Sequence, residues 1–295
     1  MTPRRLGIAG LLSGLLLSGL VMAEQSIRLP QSNGHELVLE GPATRIITLA
    51  PGLAEMVFAA GAGDKLIATV EFSNYPADAE RLPRIGDAFR FDLERIIAID
   101  PDLVMAWTSG NPPAALDRLE SLGQKVWRIE MRTPRQIGET LRMVSRATGN
   151  DASGLARADE LVQRADALQA RYAGLKPVRY FYQVAERPLY TLNGEHIVSR
   201  GLALCGGVNI FADLAVIAPR VSREAVILAD PEIMLAPVVG GRPDPLQHWR
   251  EWPRLQAVKS GELHGLPADE ISRATPRLLD SLELACTLLD RFRSH

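Results

Sequence analysis

Apolar residues recur along this chain in two rhythms. Short unbroken runs suit buried strands, and runs spaced by three and four residues suit one face of a helix. From residue 44 onward the two alternate regularly. Residues 45–49 and 66–70 predict strands, with a helix at 53–60 between them that Gly61 ends. A helix at 92–99, stopped by Asp100-Pro101, leads to a strand at 103–107, and a helix at 112–122 leads to a strand at 125–130. A helix at 134–148 closes the series. Such alternation predicts βα units on a mainly parallel sheet. Residues 153–175 then predict one long helix, free of proline until Pro177, with Leu155, Leu161, Val162, Leu168 and Tyr172 near helical spacing. A second βα series runs from a strand at 178–184 to a helix at 276–292. The expected fold is therefore α/β, with two Rossmann-like lobes at 44–149 and 177–295 joined by a stiff helix at 150–176. Strands at 26–29 and 36–40, flanking Asn33-Gly34, predict a hairpin within 24–43.

The two series share a pattern. Residues 94–106 read Glu-Arg-Ile-Ile-Ala-Ile-Asp-Pro-Asp-Leu-Val-Met-Ala, and 224–236 read Glu-Ala-Val-Ile-Leu-Ala-Asp-Pro-Glu-Ile-Met-Leu-Ala, aligned without a gap. Each is a helix begun by glutamate, an Asp-Pro stop and a buried strand. A repeated structural unit explains glutamate, aspartate and proline staying in step better than coincidence does.

The chain opens with Arg4 and Arg5, an apolar run from Leu6 to Met22 and the small residue Ala23. That order suits a signal peptide at 1–23. As a membrane anchor the run is slightly short and lacks a charged far flank. The residue directly after Ala23 is Glu24 rather than cysteine, so the mature protein is expected to be free in a periplasm rather than lipid-anchored. Formal charge is −2 for the whole chain, and −4 (31 basic against 35 acidic residues) without Arg4 and Arg5. Such a balance, without a Lys/Arg cluster, gives no reason to expect nucleic acid or an anionic membrane as partner. Two cysteines, Cys205 and Cys286, read as one disulfide or two free thiols, and an oxidising compartment favours the bond.

Catalytic patterns do not emerge. Gly61-Ala-Gly63 lacks a third glycine and leads into a strand, and a Gly-x-Ser-x-Gly turn does not occur. The five histidines (His35, His196, His248, His264 and His295) lack metal-ligand spacing. The reading is of a binding protein without catalytic residues, metal or cofactor. Aromatic residues carry more: Phe72, Tyr75, Phe89, Phe91, Trp107 and Tyr190 fall in predicted loops or at a strand end. Loops at strand C-termini are where open α/β sheets meet ligands. Flat side chains there could stack on a flat ligand, at about 0.5–1.5 kcal/mol each beyond burial; the competing role is to anchor the loops into the core.

Several segments resemble one family. Phe72-Ser-Asn-Tyr-Pro76, Leu93-Glu-Arg-Ile96, Pro101-Asp-Leu-Val104, Ala106-Trp107, Cys205-Gly-Gly207 with Asn209-Ile-Phe211, and Val221-Ser-Arg-Glu224 occur in the order found in periplasmic cobalamin-binding proteins of bacterial ABC importers, within the iron-siderophore/corrinoid class. The resemblance runs from about Thr44 to Leu289. It implies a monomeric helical-backbone periplasmic binding protein whose partners are a permease dimer and a small ligand, with cobalamin or another corrinoid as cargo. It implies a Cys205–Cys286 disulfide, and permease docking through Glu94 and Glu224, one per lobe. It places Phe72, Trp107, Tyr190, Asp269 and Arg273 at ligand-contacting positions, to which the loop aromatics Tyr75 and Phe89 are added. Two further aromatic positions of the family stand here as Ala88 and Ala218, with Phe89 beside the first. Haem or a ferric siderophore is the alternative cargo, with Tyr75, Tyr190 or His196 as an axial ligand for haem and Arg90 and Arg273 as partners for an anionic chelate.

Overall fold

A computed structural model describes residues 26–294, so the expected signal peptide lies outside the described residues. The first elements are the antiparallel pair β1 (Ile27–Pro30) and β2 (Glu36–Leu39). Lobe one follows: β3 (Ile46–Thr48), α1 (Pro51–Ala59), β4 (Leu66–Ala68), α2 (Leu93–Ile99), β5 (Leu103–Trp107), α3 (Pro113–Ser121), β6 (Val126–Ile129) and α4 (Pro134–Thr148). The connector α5 (Asp151–Tyr172) leads to lobe two: β7 (Val178–Tyr182), α6 (Ile197–Ala203), β8 (Gly207–Asn209), α7 (Arg223–Ala229), β9 (Ile233–Val238), α8 (Gln256–Lys259), β10 (Leu263–Pro267), α9 (Ala268–Ile271) and α10 (Pro276–Arg293).

Each lobe holds a four-stranded parallel sheet, ordered β4-β3-β5-β6 and β8-β7-β9-β10. Counted within each lobe, both orders read second, first, third, fourth. The chain therefore reverses direction between the first and third strands, and a crevice opens there at the strand C-termini.

Strand side chains alternate between faces. On the inner face Ile46, Leu103 and Met105 of lobe one join Tyr180, Tyr182, Ile233 and Leu235 of lobe two, through α4, α5 and α10, in one continuous apolar cluster. On the outer faces Ile47, Val104 and Ala106 pack in a separate cluster of lobe one, and Phe181, Met234 and Ala236 in one of lobe two. The lobes are thus held by more than a single rod, because α10 shares the inner cluster with α4 and α5. Arg164 of α5 adds bonds to Asp280 at 2.6 Å and Glu283 at 2.9 Å on α10.

The repeated unit is structural. Asp92 and Ser222 cap α2 and α7 by accepting from the amides of Arg95 and Ala225. Asp100 and Asp230 end those helices in the left-handed region, at φ 53° and 44°, before Pro101 and Pro231. Asp102 then accepts from the amides of Thr44 and Arg45, as Glu232 accepts from that of Arg179. Arg45 and Arg179 return to the carbonyls that end the two helices.

Candidate functional site

The loops at the strand C-termini present apolar rings to solvent. The connection from β4 to α2, residues 69–92, carries Phe72, Tyr75 and Phe89; Phe72 is 75% exposed and Phe89 70%. Trp107 ends β5 and Tyr190 follows β7, both partly exposed. Taking apolar surface out of water gains about 25 cal/mol per Å², a gain these exposed rings leave available to a ligand. Phe91 behaves differently: it packs against the outer cluster of lobe one, as a loop anchor.

Polar side chains beneath the rings fix their bases. Buried Asn111 donates to the carbonyls of Leu49 (2.8 Å) and Ala88 (2.7 Å) and accepts from the Trp107 amide (2.6 Å). It therefore ties the end of β3, the Phe89 loop and Trp107 together across the crevice of lobe one. The Trp107 ring lies over Gly110, where a Cβ would stand 1.9 Å from it, so only glycine fits. Within the 69–92 loop, Thr69 links Thr48 and Ser73 through hydroxyls at 2.8 and 2.9 Å. Arg84 donates to the carbonyls of Ser73, Ala79 and Leu82. Phe72 itself sits at φ 66°, a strained conformation for an aromatic residue, of the kind that persists at functional sites. In lobe two, Tyr190 is held by backbone bonds with Val184 and Ala185. Asn111, Arg84 and the exposed Val184 and Val239 just past β7 and β9 had no signal in sequence; Asn111 bonds backbone carbonyls 23 and 62 residues away, and Arg84 bonds loop carbonyls that no residue pattern marks.

The lobes meet at a charged seam. Glu55 of α1, 3% exposed, accepts from Arg273 at 2.7 Å and from Arg277 at 2.7 and 3.0 Å. Arg273 also donates to Asn74 Oδ1, the Phe72 carbonyl and Asp269, and Asn74 donates to Asp269 at 3.2 Å. The Arg277 guanidinium lies 3.9 Å from the Tyr75 ring centroid. Burial works against the Arg277 charge, but the Glu55 hydrogen bond and charge outweigh it and raise the pKa. Removing one partner from such a buried pair costs about 3–5 kcal/mol. Gly52, at the start of α1, closes the same seam: a Cβ there would meet Thr275 at 3.3 Å. Asp269 and Arg273 thus sit beside Phe72 and Tyr75, but Arg273 is already engaged across the seam. The loop after β4 and the segment after β10 meet here.

Glu94 and Glu224 lie elsewhere, exposed in the first turns of α2 and α7. The Glu224 carboxyl is held below its ordinary value by its own backbone amide and the Ser222 hydroxyl. His196 caps α6, its Nδ1 accepting from Val198 at 3.2 Å. Burial, with Arg132 nearby, lowers its pKa to about 4. Cys205 and Cys286 are joined, with Cα atoms 5.5 Å apart, and the bond braces lobe two alone. Two surface concavities, of about 550 Å³ beside Glu186, Asp244 and His248 and about 620 Å³ beside Pro177, Glu262 and Phe292, lack the exposed rings named above. Among the described residues, His, Cys, Asp and Glu do not gather as a metal site, and no helix is long and apolar enough to cross a membrane.

This architecture recurs in known proteins. A family model described as periplasmic binding protein matches residues 46–270. The chain belongs to that family. Among its relatives, a vitamin B12-binding protein of Vibrio cholerae is 39% identical over 252 residues, spanning 84% of this chain and 90% of the relative. The crystal structure of periplasmic vitamin B12 binding protein BtuF of Vibrio cholerae superposes with a TM-score of 0.79 at 38% identity, covering 86% of this chain and 99% of that one. The periplasmic heme binding protein HutB of the same organism, at 20% identity and a TM-score of 0.70 over 83% and 98%, shares the fold. Membership makes the chain a protein that binds a ligand rather than one that transforms it.

Proposed function

We propose that the chain is the periplasmic solute-binding component of an ABC importer, capturing cobalamin or a related corrinoid between lobes at 44–149 and 177–295. The observation that carries this reading is the set of exposed rings (Phe72, Tyr75, Phe89, Trp107 and Tyr190) in the loops at the strand ends, two of which, Phe72 and Tyr75, meet the seam between the lobes. A corrinoid is broad and flat, with amide-bearing edges, and suits stacking faces with a polar rim. The seam itself is neutral: Glu55 and Asp269 balance Arg273 and Arg277. An anionic chelate would have to draw Arg273 away from two carboxylates, at a cost in desolvation and lost pairing. The names of the relatives point to the same ligand.

In this reading Asp269 and Arg273 form the polar rim beside the ligand, while Glu94 and Glu224 meet cationic side chains of a two-fold permease dimer. Their equivalent places on α2 and α7 suit such a symmetric partner. The protein works as a monomer in the periplasm, after removal of a signal peptide at 1–23.

Titration of the mature protein with cyanocobalamin and with cobinamide should quench tryptophan fluorescence with sub-micromolar affinity. Trp107→Ala should weaken binding about tenfold, the scale of one stacking contact. Lack of binding to both corrinoids, with haem instead giving a Soret band that survives gel filtration, would move the reading to haem.

A further inference from the structure

Phe72 and Tyr75 belong to lobe one, yet the groups touching them at the seam come from lobe two. Arg273 donates to the Phe72 carbonyl at 3.1 Å, and Arg277 covers the Tyr75 ring at 3.9 Å. Both guanidiniums are fixed by one buried side chain, Glu55, which returns the connection to lobe one. One carboxylate thus sets two cations, and each cation sets one exposed ring of the 69–92 loop. Arg273 also joins Asn74 and Asp269, which are themselves hydrogen-bonded.

We infer that Glu55 is a positioning residue for ligand capture: by orienting Arg273 and Arg277 it fixes where Phe72 and Tyr75 stand at the mouth of the crevice. A buried ion cluster that merely joins two lobes would spend its remaining donors on other scaffold groups. Here they reach the strained residue Phe72, whose ring is largely unsupported by neighbours at 75% exposure, so its backbone must carry the constraint. Carboxylate–guanidinium forks fix angle as well as distance, which a single point contact does not. A neutral amide at position 55 keeps the shape but cannot hold two cations in place.

The inference rests on the ligand reading only for the choice of probe, and its test has an arm that needs no ligand. The full mature protein is labelled with fluorotyrosine, which marks Tyr75, Tyr172, Tyr180, Tyr182 and Tyr190. The Tyr75 resonance is assigned by its loss in Tyr75→Phe. In ligand-free E55Q the Tyr75 line should shift and broaden while those of the core residues Tyr180 and Tyr182 stay in place. Cyanocobalamin affinity should fall at least tenfold, and Glu55→Asp, which restores the charge, should recover most of that loss. An unmoved Tyr75 line overturns the inference, as does a shift shared equally by Tyr180 and Tyr182. If the wild type fails to bind cyanocobalamin, the ligand reading falls but the fluorine spectrum still decides the role of Glu55. Should E55Q not accumulate, Arg277→Met removes the cation from Tyr75 and leaves the Glu55–Arg273 pair. The Tyr75 line must then move alone, and an unchanged spectrum rejects the inference.

Discussion

The two lobes are the same machine below the strand ends and different machines above them. Below, both have the strand order second-first-third-fourth, an N-capped seven-residue helix (α2 or α7), a left-handed aspartate and a carboxylate that catches backbone amides. Above, lobe one spends residues 69–92 on a long connection braced by Thr69, Ser73 and Arg84, and displays three rings from it. Lobe two uses the shorter connection 210–222 and is stapled by the Cys205–Cys286 bond. The shared part is what a βα unit needs to close its own hydrogen bonds. The unshared part is where the two lobes divide the work at the seam, rings chiefly from one and cations from the other.

The largest effect is expected where the likeness is functional. If α2 and α7 dock equivalently on a two-fold partner, Glu94→Arg and Glu224→Arg together should abolish corrinoid uptake by cells, with ligand affinity of the purified protein unchanged. Each single reversal should reduce uptake by a similar factor. Strongly unequal singles would break the functional symmetry while leaving the structural one intact, and undiminished uptake by the double variant would remove both residues from the docking surface.

Next comes the staple. Cys205 and Cys286 close a loop of sequence separation 81. On chain-entropy grounds, Cys205→Ser with Cys286→Ser should cost about 4–5 kcal/mol of stability, as an upper figure. Urea unfolding followed by amide exchange should place the loss in lobe two, with protection falling in β7 and β8 before β3 and β5. Equal loss in both lobes would mean that the shared inner cluster, not the lobe, is the unit of cooperativity.

What the chain reveals before folding follows the same division. The strand at 103–107 and the helix at 134–148 are legible to the residue, because apolar periodicity and the Thr133-Pro134 start or the Asp-Pro stop act locally. The repeated unit is equally legible, since Glu94 and Glu224, Asp100 and Asp230, and Pro101 and Pro231 stay in step. By contrast, β8 is only Gly207–Asn209, too short for a periodic signal, and α9 is a single turn. The rings were marked by type and loop position, but what holds them was not. Asn111, Arg84 and Glu55 act on atoms between 2 and 222 residues away, and nothing local distinguishes Glu55 from any glutamate on an exposed helix.

The smallest effect concerns the way each lobe starts its first helix. α1 begins after Ala50 with Pro51 and has no side-chain cap, whereas α6 is capped by His196 through Nδ1. That nitrogen can accept only while unprotonated. Burial lowers the folded pKa to about 4 from an ordinary 6.5, and Arg132 adds to the shift. The unfolded chain therefore takes up the proton first as pH falls. The contribution of the neutral cap is complete above pH 6.5 and is lost progressively between 6.5 and about 4. At pH 5 the loss should be about 1–2 kcal/mol, allowing for partial exposure of the ring. His196→Asn supplies an alternative cap acceptor that does not titrate in this range. Urea midpoints taken from pH 7.5 to 5 should converge for the two proteins as the pH falls, with the wild type losing its advantage. If the wild type and His196→Asn fall in parallel, His196 is not the group that sensitises lobe two to acid, and the contrast between the two helix starts is one of packing alone.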